Sequence, residues 1–262
     1  MSGILALFFV QAACAAAAPA AAGAAEPGGG PAATVAAGPQ ETDASAAELK
    51  RLGATLHRDA AGRIVCVWAV GIHDGDALLA RLPALADLEL LDIGETPLRP
   101  ASLAHLRQLK RLRWLYLHEL RLGDAALAHL AAIPSLEVLG LRRCGLTGDG
   151  LDQLKRLPEL RVLNLSRNPI GDERLQPLGE MPTLEVLALE GTKVTGAGLK
   201  SLKDLPRLNV LNLNGCRVAD EDLVHLESLD NLRIVRVKGC PVADKAIRKY
   251  KKRFPMVAFF RY

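Results

Sequence analysis

The chain has 262 residues, of which 50% are hydrophobic and 24% charged, and its net charge is +4. This apolar content excludes a chain that is disordered throughout and suffices for a sizeable core. Aromatic residues make up only 4%, so we expect aliphatic side chains that recur in a repeat to fill that core.

The first 25 residues carry no charged side chain and open with an apolar run over residues 4–10. This pattern is typical of a signal peptide or a lipoprotein leader, although residues 1–3 lack the usual Lys or Arg. Residues 10–14 also resemble a lipoprotein box, in which Cys14 would carry the lipid. Three alternatives stay open: a cleaved leader, a lipid anchor at Cys14, or neither. The first two predict an exported protein, periplasmic, on the cell surface or secreted.

Residues 26–41 are rich in Ala, Pro and Gly and show no apolar periodicity. They are predicted to form a disordered tether. Residues 42–63 are predicted to form an N-terminal cap, because the end of a repeat stack otherwise exposes its core. Within this cap, residues 43–52 have an amphipathic helical pattern, and residues 55–58 are expected to pair with residues 64–68 in a hairpin.

An apolar pattern recurs every 24 residues, and Leu160, Leu163, Leu165, Asn168 and Ile170 show it in full. Eight in-register copies cover residues 64–255. Their first apolar positions are Ile64, Leu88, Leu112, Leu136, Leu160, Leu184, Leu208 and Leu232. A short strand on the Leu-x-Leu segment would point its leucines inward, and the second half of each unit has helical spacing. Residues 256–262 are predicted to add a C-terminal cap strand.

The position of Asn168 is polar or cysteine in most units, and its side chain is expected to bond to loop backbone. Ile72 and Leu120 depart from this rule. The residues that agree with this rule are Thr96, Cys144, Asn168, Thr192, Cys216 and Cys240. A disulfide between Cys216 and Cys240 requires well-aimed Cβ bonds, which parallel inward positions rarely provide. We therefore expect thiols there.

The pattern L-x-x-L-x-L-x-x-N/C-x-L resembles the leucine-rich repeat. Residues 194–199 (VTGAGL) and 146–151 (LTGDGL) resemble the V-T-D-A-G-L repeats of bacterial, planctomycete-type proteins. The chain is also similar to the cysteine-containing repeats of F-box and ribonuclease-inhibitor relatives. The resemblance covers about three quarters of the chain. It implies a right-handed α/β solenoid with a concave parallel sheet and convex short helices, and a protein-binding role whose partner is set by variable surface residues.

Helix-start chemistry precedes the second half of most units. One column contains five aspartates, and where it holds Gly148 or Gly196 a threonine stands one place earlier, Thr147 or Thr195. These residues are expected to cap the N–H groups of their own short helices. The aspartates are Asp76, Asp124, Asp172, Asp220 and Asp244.

Outward strand positions define the concave face, the expected binding surface. The central column comprises Trp68, Asp92, Tyr116, Gly140, Asn164, Ala188, Asn212 and Arg236. The column before it comprises Cys66, Leu90, Trp114, Val138, Val162, Val186, Val210 and Ile234. Both tryptophans of the chain lie on this face, and aromatic anchors dominate binding at many interfaces. We expect them to offer contact area without holding the core; the alternative is that they cover the N-terminal cap or pack on each other.

Charged residues extend the predicted partner-binding set beyond the rings. His118, Asp92, Glu95 and Glu119 surround the rings, and a basic cluster follows in the middle of the solenoid. The full candidate set is Trp68, Leu90, Asp92, Trp114, Tyr116, His118, Glu119, Arg142, Arg143, Asn164 and Arg167. The arginines are read either as an anion contact or as an ordinary solvated cluster.

The C-terminal end is strongly basic. Residues 232–262 contain ten Lys or Arg against Asp244 alone, a balance of +9 that leaves −5 for the rest of the chain. Lys249, Lys251, Lys252 and Arg253 form the densest part and are predicted either to meet an anionic surface or to be a soluble helical cap.

No catalytic pattern emerges, and cysteines and histidines lack the spacing of a metal site. We therefore predict a protein-binding scaffold without catalytic activity, cofactor or metal, more often monomeric than oligomeric and not a nucleic-acid binder. The alternative is a tethered structural scaffold of the cell envelope that contacts wall, membrane or like chains through its basic end.

Overall fold

The computed structural model describes residues 39–261, so the predicted leader, Cys14 and most of the predicted tether lie outside the described residues. Helix α1 spans Pro39–Arg51 and begins inside the predicted tether. The helix therefore begins three residues before the predicted boundary at residue 42. Proline suits the first position of a helix because its missing N–H would have no intrahelical partner there.

The N-terminal cap continues with the predicted hairpin. Strand β1 (Thr55–Arg58) pairs antiparallel with β2 (Ile64–Trp68). Asp59 stabilises the turn, since its Oδ1 accepts hydrogen bonds from the backbone N–H groups of Ala61 and Arg63, both at 2.9 Å. The hairpin gives the parallel sheet an antiparallel first edge.

Eight further strands follow in parallel and in chain order, and within the described residues all ten strands form one sheet. Each central strand pairs with the next in a 24-residue register, as Leu163 does with Leu187. These strands are β3 (Leu90–Asp92), β4 (Trp114–Tyr116), β5 (Val138–Gly140), β6 (Val162–Asn164), β7 (Val186–Ala188), β8 (Val210–Asn212), β9 (Ile234–Arg236) and β10 (Ala258–Phe260). The last is the expected C-terminal cap strand, beside β9.

The helical half of each unit is short, and it is α-helical in some units and 3₁₀ in others. The remaining α-helices are α2 (Gly75–Arg81), α3 (Ala125–Leu130), α4 (Gln176–Gly179), α5 (Gly196–Leu199) and α6 (Asp244–Arg253). The 3₁₀ segments are Leu82–Ala84, Pro100–Gln108, Leu151–Arg156, Asp172–Arg174, Lys200–Leu202 and Asp220–Leu226. A 3₁₀ turn rises more per residue than an α turn and so spans a given distance with fewer residues.

The core lies between the sheet and the helical segments as one continuous aliphatic cluster from Ala46 to Val257. Leucines at the template positions, such as Leu160, Leu163 and Leu165, are fully buried. Each repeat therefore buries its leucines against its neighbours, as the sequence pattern predicts.

The Asn/Cys column bonds to backbone as expected, and most of its partners lie in the preceding repeat, whereas Thr192 donates to Leu189 O of its own repeat. Asn168 Nδ2 donates to Leu141 O at 2.7 Å, and Cys144 Sγ donates to Leu117 O at 2.8 Å. Thr96, Cys216 and Cys240 make the equivalent bond to a carbonyl 27 residues earlier. The two neighbouring cysteines are separate thiols. Leu120 has no side-chain donor, so it interrupts this chain of bonds at the third repeat.

The aspartate column does not cap its own helices, which corrects the sequence prediction. Asp124 accepts from the backbone N–H groups of Thr147 and Gly148 in the next repeat, at 3.1 and 3.0 Å. Asp76, Asp172 and Asp220 likewise accept from the N–H groups of Arg99, Thr195 and Ala243, 23 residues onward. These four aspartates stand in alternate repeats, so each ties one repeat to the following one.

The predicted helix cap by Thr195 is confirmed, and another helix is capped by Asp74, which lies outside the aspartate column. Asp74 accepts from Ala77 N at 2.9 Å at the start of α2, and Thr195 accepts from Ala197 N at 3.2 Å at the start of α5. Thr147 instead donates its hydroxyl to Asp124 at 2.6 Å. Gly148 has no room for a side chain, since a Cβ there would lie 2.7 Å from Cβ of Arg174.

Candidate functional site

Three aromatic side chains form a patch at the N-terminal end of the concave face. Trp68, Trp114 and Tyr116, here called the aromatic patch, pack against a second, smaller hydrophobic cluster. The buried members of this cluster are Val65, Cys66 and Leu90. Its position on the outer side of the sheet separates it from the main core.

Leu90 was predicted to contact a partner, but it has 0% of its surface exposed. It lies on β3 next to Trp114 of β4 and beneath the rings, so a partner cannot touch it. The rings were predicted to offer contact area without holding the core, and they pack on this separate outer cluster, not on the main core. The rings are half-buried, and they cover Leu90 and its neighbours.

Two glycines allow aromatic side chains to lie along the sheet. A Cβ on Gly140 would be 2.9 Å from Cδ1 of Tyr116, and one on Gly94 would be 2.2 Å from the ring of His118. Tyr116 therefore lies toward the following repeat and His118 toward the preceding one. The guanidinium of Arg113 lies 4.7 Å from the centre of the Trp114 ring. The patch is thus a pre-packed surface.

Asp92 sits between Trp68 and Tyr116 in the central column and is only 9% exposed. Its Oδ1 accepts from Gly94 N at 3.2 Å and lies 3.6 Å from Nδ1 of His118. Burial raises the pKa of Asp92 above its ordinary value. Burial, together with the charge of Asp92, also raises the pKa of Tyr116 to about 12.

An apolar row continues the patch along the concave face. It comprises Val138, Val162, Val186, Val210 and Ile234, here called the valine stripe, and each is half-exposed. Asn164 and Asn212 lie beside it, and each side chain accepts from a backbone N–H two residues on at 3.0 Å. These five residues were predicted to lie in an outward column but were not among the predicted site residues. The signal that could have found them is the β-branched side chain at this position in five consecutive repeats.

The predicted acidic and basic parts of the face interlock. Glu119 accepts from Arg142 at 2.7 Å and from Arg143 at 3.1 Å, and Arg167 lies 3.4 Å from Glu190. Partial burial would raise the pKa of Glu119, but the hydrogen bond from Arg142 and the charge of Arg143 outweigh it and lower the pKa.

One loop position, directly after these strands, has a left-handed backbone in every repeat. Four repeats place glycine there, and the other four place the charged residues Glu95, Glu119, Arg143 and Arg167, with φ between 55° and 60°. The glycines are Gly71, Gly191, Gly215 and Gly239. Glycine adopts this conformation freely, whereas other residues are strained in it.

An open groove of about 570 Å³ runs along these loops in repeats three to five, here called the arginine groove. Its lining residues are Glu119, Leu120, Arg121, Gly123, Arg143, Cys144, Gly145 and Arg167. It brings together three of the predicted site residues. Arg121 and the two glycines were not among the predictions.

The basic end is carried by α6. Tyr250 anchors this helix, since its hydroxyl donates to Leu226 O at 3.0 Å, while Lys249, Lys251 and Lys252 are exposed. Arg253 pairs with Glu227. After this helix, Met256 is 74% exposed, and Phe260 of β10 is 50% exposed. The exposed lysines fit both predicted roles of this end, an anionic contact or a soluble helical cap.

Within residues 39–261, no group of three or more His, Cys, Asp or Glu side chains could hold a metal ion. A search of the same residues for a helix long and apolar enough to cross a membrane finds none.

Comparison with known proteins supports the fold. A family model described as leucine-rich repeat matches residues 157–179. The crystal structure of internalin C2 from Listeria monocytogenes is similar, with a TM-score of 0.56 and 23% identity over 69% of this chain and 74% of that one. No match is found among curated proteins. The narrower resemblance to planctomycete-type repeats stays a prediction.

Proposed function

We propose that this leucine-rich-repeat solenoid binds a protein partner along its concave face, without catalysing a reaction. One observation carries the proposal: the outer face of the sheet carries a continuous, partly exposed apolar column beside a polar one. The inner face supplies the buried core, whereas the valine stripe and the aromatic patch lie on the opposite, partly exposed face. A contiguous exposed apolar surface on a protein marks an interaction site.

The dimensions of this surface fit a protein partner. Five neighbouring strands carry the valine stripe, and at about 4.8 Å between strands it spans about 19 Å. The aromatic patch extends it over the first three repeats. Rigid half-buried rings make good anchors because they lose little conformational freedom on binding.

The test is affinity capture of partners from cells that make the protein, with the wild type and two variants that each carry two substitutions. Val162→Glu with Val186→Glu places charges on the concave face, whereas Lys200→Glu with Lys203→Glu alters exposed residues of the convex side. Proteins captured by the wild type and by the convex variant are expected to be lost from the folded concave variant. Equal capture by all three proteins would refute the proposal. Circular dichroism checks the fold of each variant.

A second candidate function is contact between the basic end and an anionic surface. It is favoured by the exposed lysines of α6 and by Met256, which follows this helix closely in the chain and is 74% exposed. Sedimentation with vesicles of phosphatidylglycerol and phosphatidylcholine tests it. Binding is expected to fall when Lys249, Lys251 and Lys252 are changed to Gln. Equal binding to neutral and anionic vesicles would refute it.

We also propose that the protein is exported, on the apolar, uncharged character of residues 1–25. Mass spectrometry of the protein from its native cells would define the mature N-terminus. A start beyond about residue 14, or a lipid on Cys14, is the expected result. An intact Met1 on the mature protein would contradict export by a cleaved leader.

A further inference from the structure

We infer that the arginine groove binds an acidic segment of a protein partner, whose Asp or Glu side chains pair with Arg121, Arg143 and Arg167. This inference rests on the proposed function and names the chemistry that the partner presents. Its test needs only a synthetic probe, so the inference and the proposed function can fail separately.

The shape of the groove comes from missing side chains. Gly123 and Gly145 lie in its wall with left-handed backbones, and a Cβ on either glycine would meet no atom within 4 Å. Buried Leu120 and Cys144 form part of the lining. The neighbouring arginines therefore border an open channel instead of packing against each other.

The charge of the groove is positive. Its lining contains three arginines and one carboxylate, Glu119, which already accepts hydrogen bonds from Arg142 and Arg143. Arg143 and Arg167 are exposed, and the contact of Arg167 with Glu190 is long, at 3.4 Å. Arg121 is exposed, and no ion pair is described for it among residues 39–261. Guanidinium groups thus remain available to an anionic ligand.

The backbone gives independent support, because the protein contains its own comparison. At the left-handed loop position, repeats one, six, seven and eight have glycine, repeats two and three have glutamate, and repeats four and five have Arg143 and Arg167 at φ 55° and 57°. An arginine costs stability at a position where glycine is free of strain. A strained charged residue in a groove is expected where its side chain serves binding, since binding sites trade stability for function.

A carboxylate matches these groups better than a single point charge does. The planar guanidinium donates two parallel hydrogen bonds to a carboxylate. The three arginines belong to three successive repeats, so they are spread over about 10 Å. A segment with several acidic residues can meet them together, which favours an acidic peptide over a lone anion.

The experiment measures the fluorescence anisotropy of a labelled octaglutamate peptide as the full-length protein is added at low salt. The groove variant is Arg121→Gln, Arg143→Gly and Arg167→Gly. Its matched control, Lys249→Gln, Lys251→Gln and Lys252→Gln, removes the same charge from the basic end. We expect the groove variant to bind octaglutamate at least about 10-fold more weakly than the wild type, because one or two charge-assisted hydrogen bonds are lost. The control should bind within about 2-fold of the wild type.

Thermal unfolding separates binding from a structural role. If the arginines serve binding, the glycine substitutions should leave Tm unchanged or raise it by about 2 °C, because strain is relieved. Arg143→Lys with Arg167→Lys should bind more weakly than the wild type but more tightly than the groove variant, because lysine keeps the charge and loses the paired hydrogen bonds. Three results would each overturn the inference. Octaglutamate binding could be lost in the basic-end control alone, or a 12-base-pair DNA duplex could bind at the groove more tightly than octaglutamate does. The third result is a Tm of the groove variant that is several degrees lower than that of the wild type.

Discussion

The first three repeats and the last five present the same sheet positions to the concave side but fill them differently. In the first three, Trp68, Trp114 and Tyr116 cover buried Leu90, and Asp92 is enclosed between rings. In the later repeats, valine and asparagine leave the same columns half-exposed. An outward strand position is therefore buried where a neighbouring ring covers it, as at Leu90 and Asp92.

This difference gives the concave face two kinds of surface. The aromatic patch is already packed, so a partner would meet rings held in place by the cluster below them. The valine stripe is open, and its side chains can be changed with little effect on the fold. Stability and binding should thus be coupled at the N-terminal end and separable further along.

The largest effect is expected on the inner face, where both regions are alike. Leu163→Ala should lower the free energy of unfolding by about 2–5 kcal/mol, because it removes a fully buried side chain from the continuous core. The surface control Glu185→Ala should cost about 0.5 kcal/mol or less. Urea titration measures both. Equal small losses would contradict the assigned register.

The next prediction sharpens the contrast between the two concave regions. Trp114→Ala should cost about 2 kcal/mol, since it uncovers Leu90 in addition to losing its own contacts. Val162→Ala, in the column of Trp114 but in the open region, should cost less than about 1 kcal/mol. The same titration measures both variants. If Val162→Ala proves the more damaging, the distinction between packed and open surface is lost.

The ties between repeats should give a smaller loss. Asp124→Ala removes the acceptor for two backbone N–H groups and the hydroxyl of Thr147, and should cost about 1–2 kcal/mol. Asp152, an exposed aspartate of the next repeat, provides the control, and Asp152→Ala should be close to neutral. A neutral Asp124→Ala would show that the repeats do not depend on this bond.

The smallest effect concerns Asp92. Because burial raises its pKa, the folded chain binds the proton more tightly than the unfolded chain does. The stability from this group is therefore highest at acid pH and falls as the pH rises from about 3.9, the unfolded value, through the folded pKa.

Asp92→Asn should remove this pH dependence. From pH 3 to pH 7, its free energy of unfolding should rise relative to that of the wild type by about 1 kcal/mol or less. Denaturant titration at both pH values measures the gain. If the stability of Asp92→Asn relative to the wild type decreased from pH 3 to pH 7, this result would contradict a raised pKa of Asp92.

The repeat register could be predicted because eight copies of Leu-x-x-Leu-x-Leu fix which residues point inward. The burial of Leu163 and the bonds of Cys144 and Asn168 followed from it. The burial of Leu90 did not, since it depends on how the ring of Trp114 in the next strand is turned.

Contacts between repeats were harder to predict than positions within a repeat. Asp124 looked like a cap for its own helix, yet its partner is 23 residues away. The signal for these contacts between repeats was an alternation in one column. An aspartate in one repeat is followed in the next repeat by Thr-Gly or Arg-Pro at the same place. The left-handed conformation of Arg143 and Arg167 was hidden because glycine fills that column in only four repeats.

The central claim is that the partner lies on the concave face, and site-specific photocrosslinking tests it most directly. A photoreactive phenylalanine analogue would replace Val186 on the concave sheet or, as the matched control, Lys200 on the convex side. After irradiation in native cells, we expect a discrete crosslinked partner from position 186 and none from position 200. A partner crosslinked from position 200, with nothing from 186, would contradict the claim.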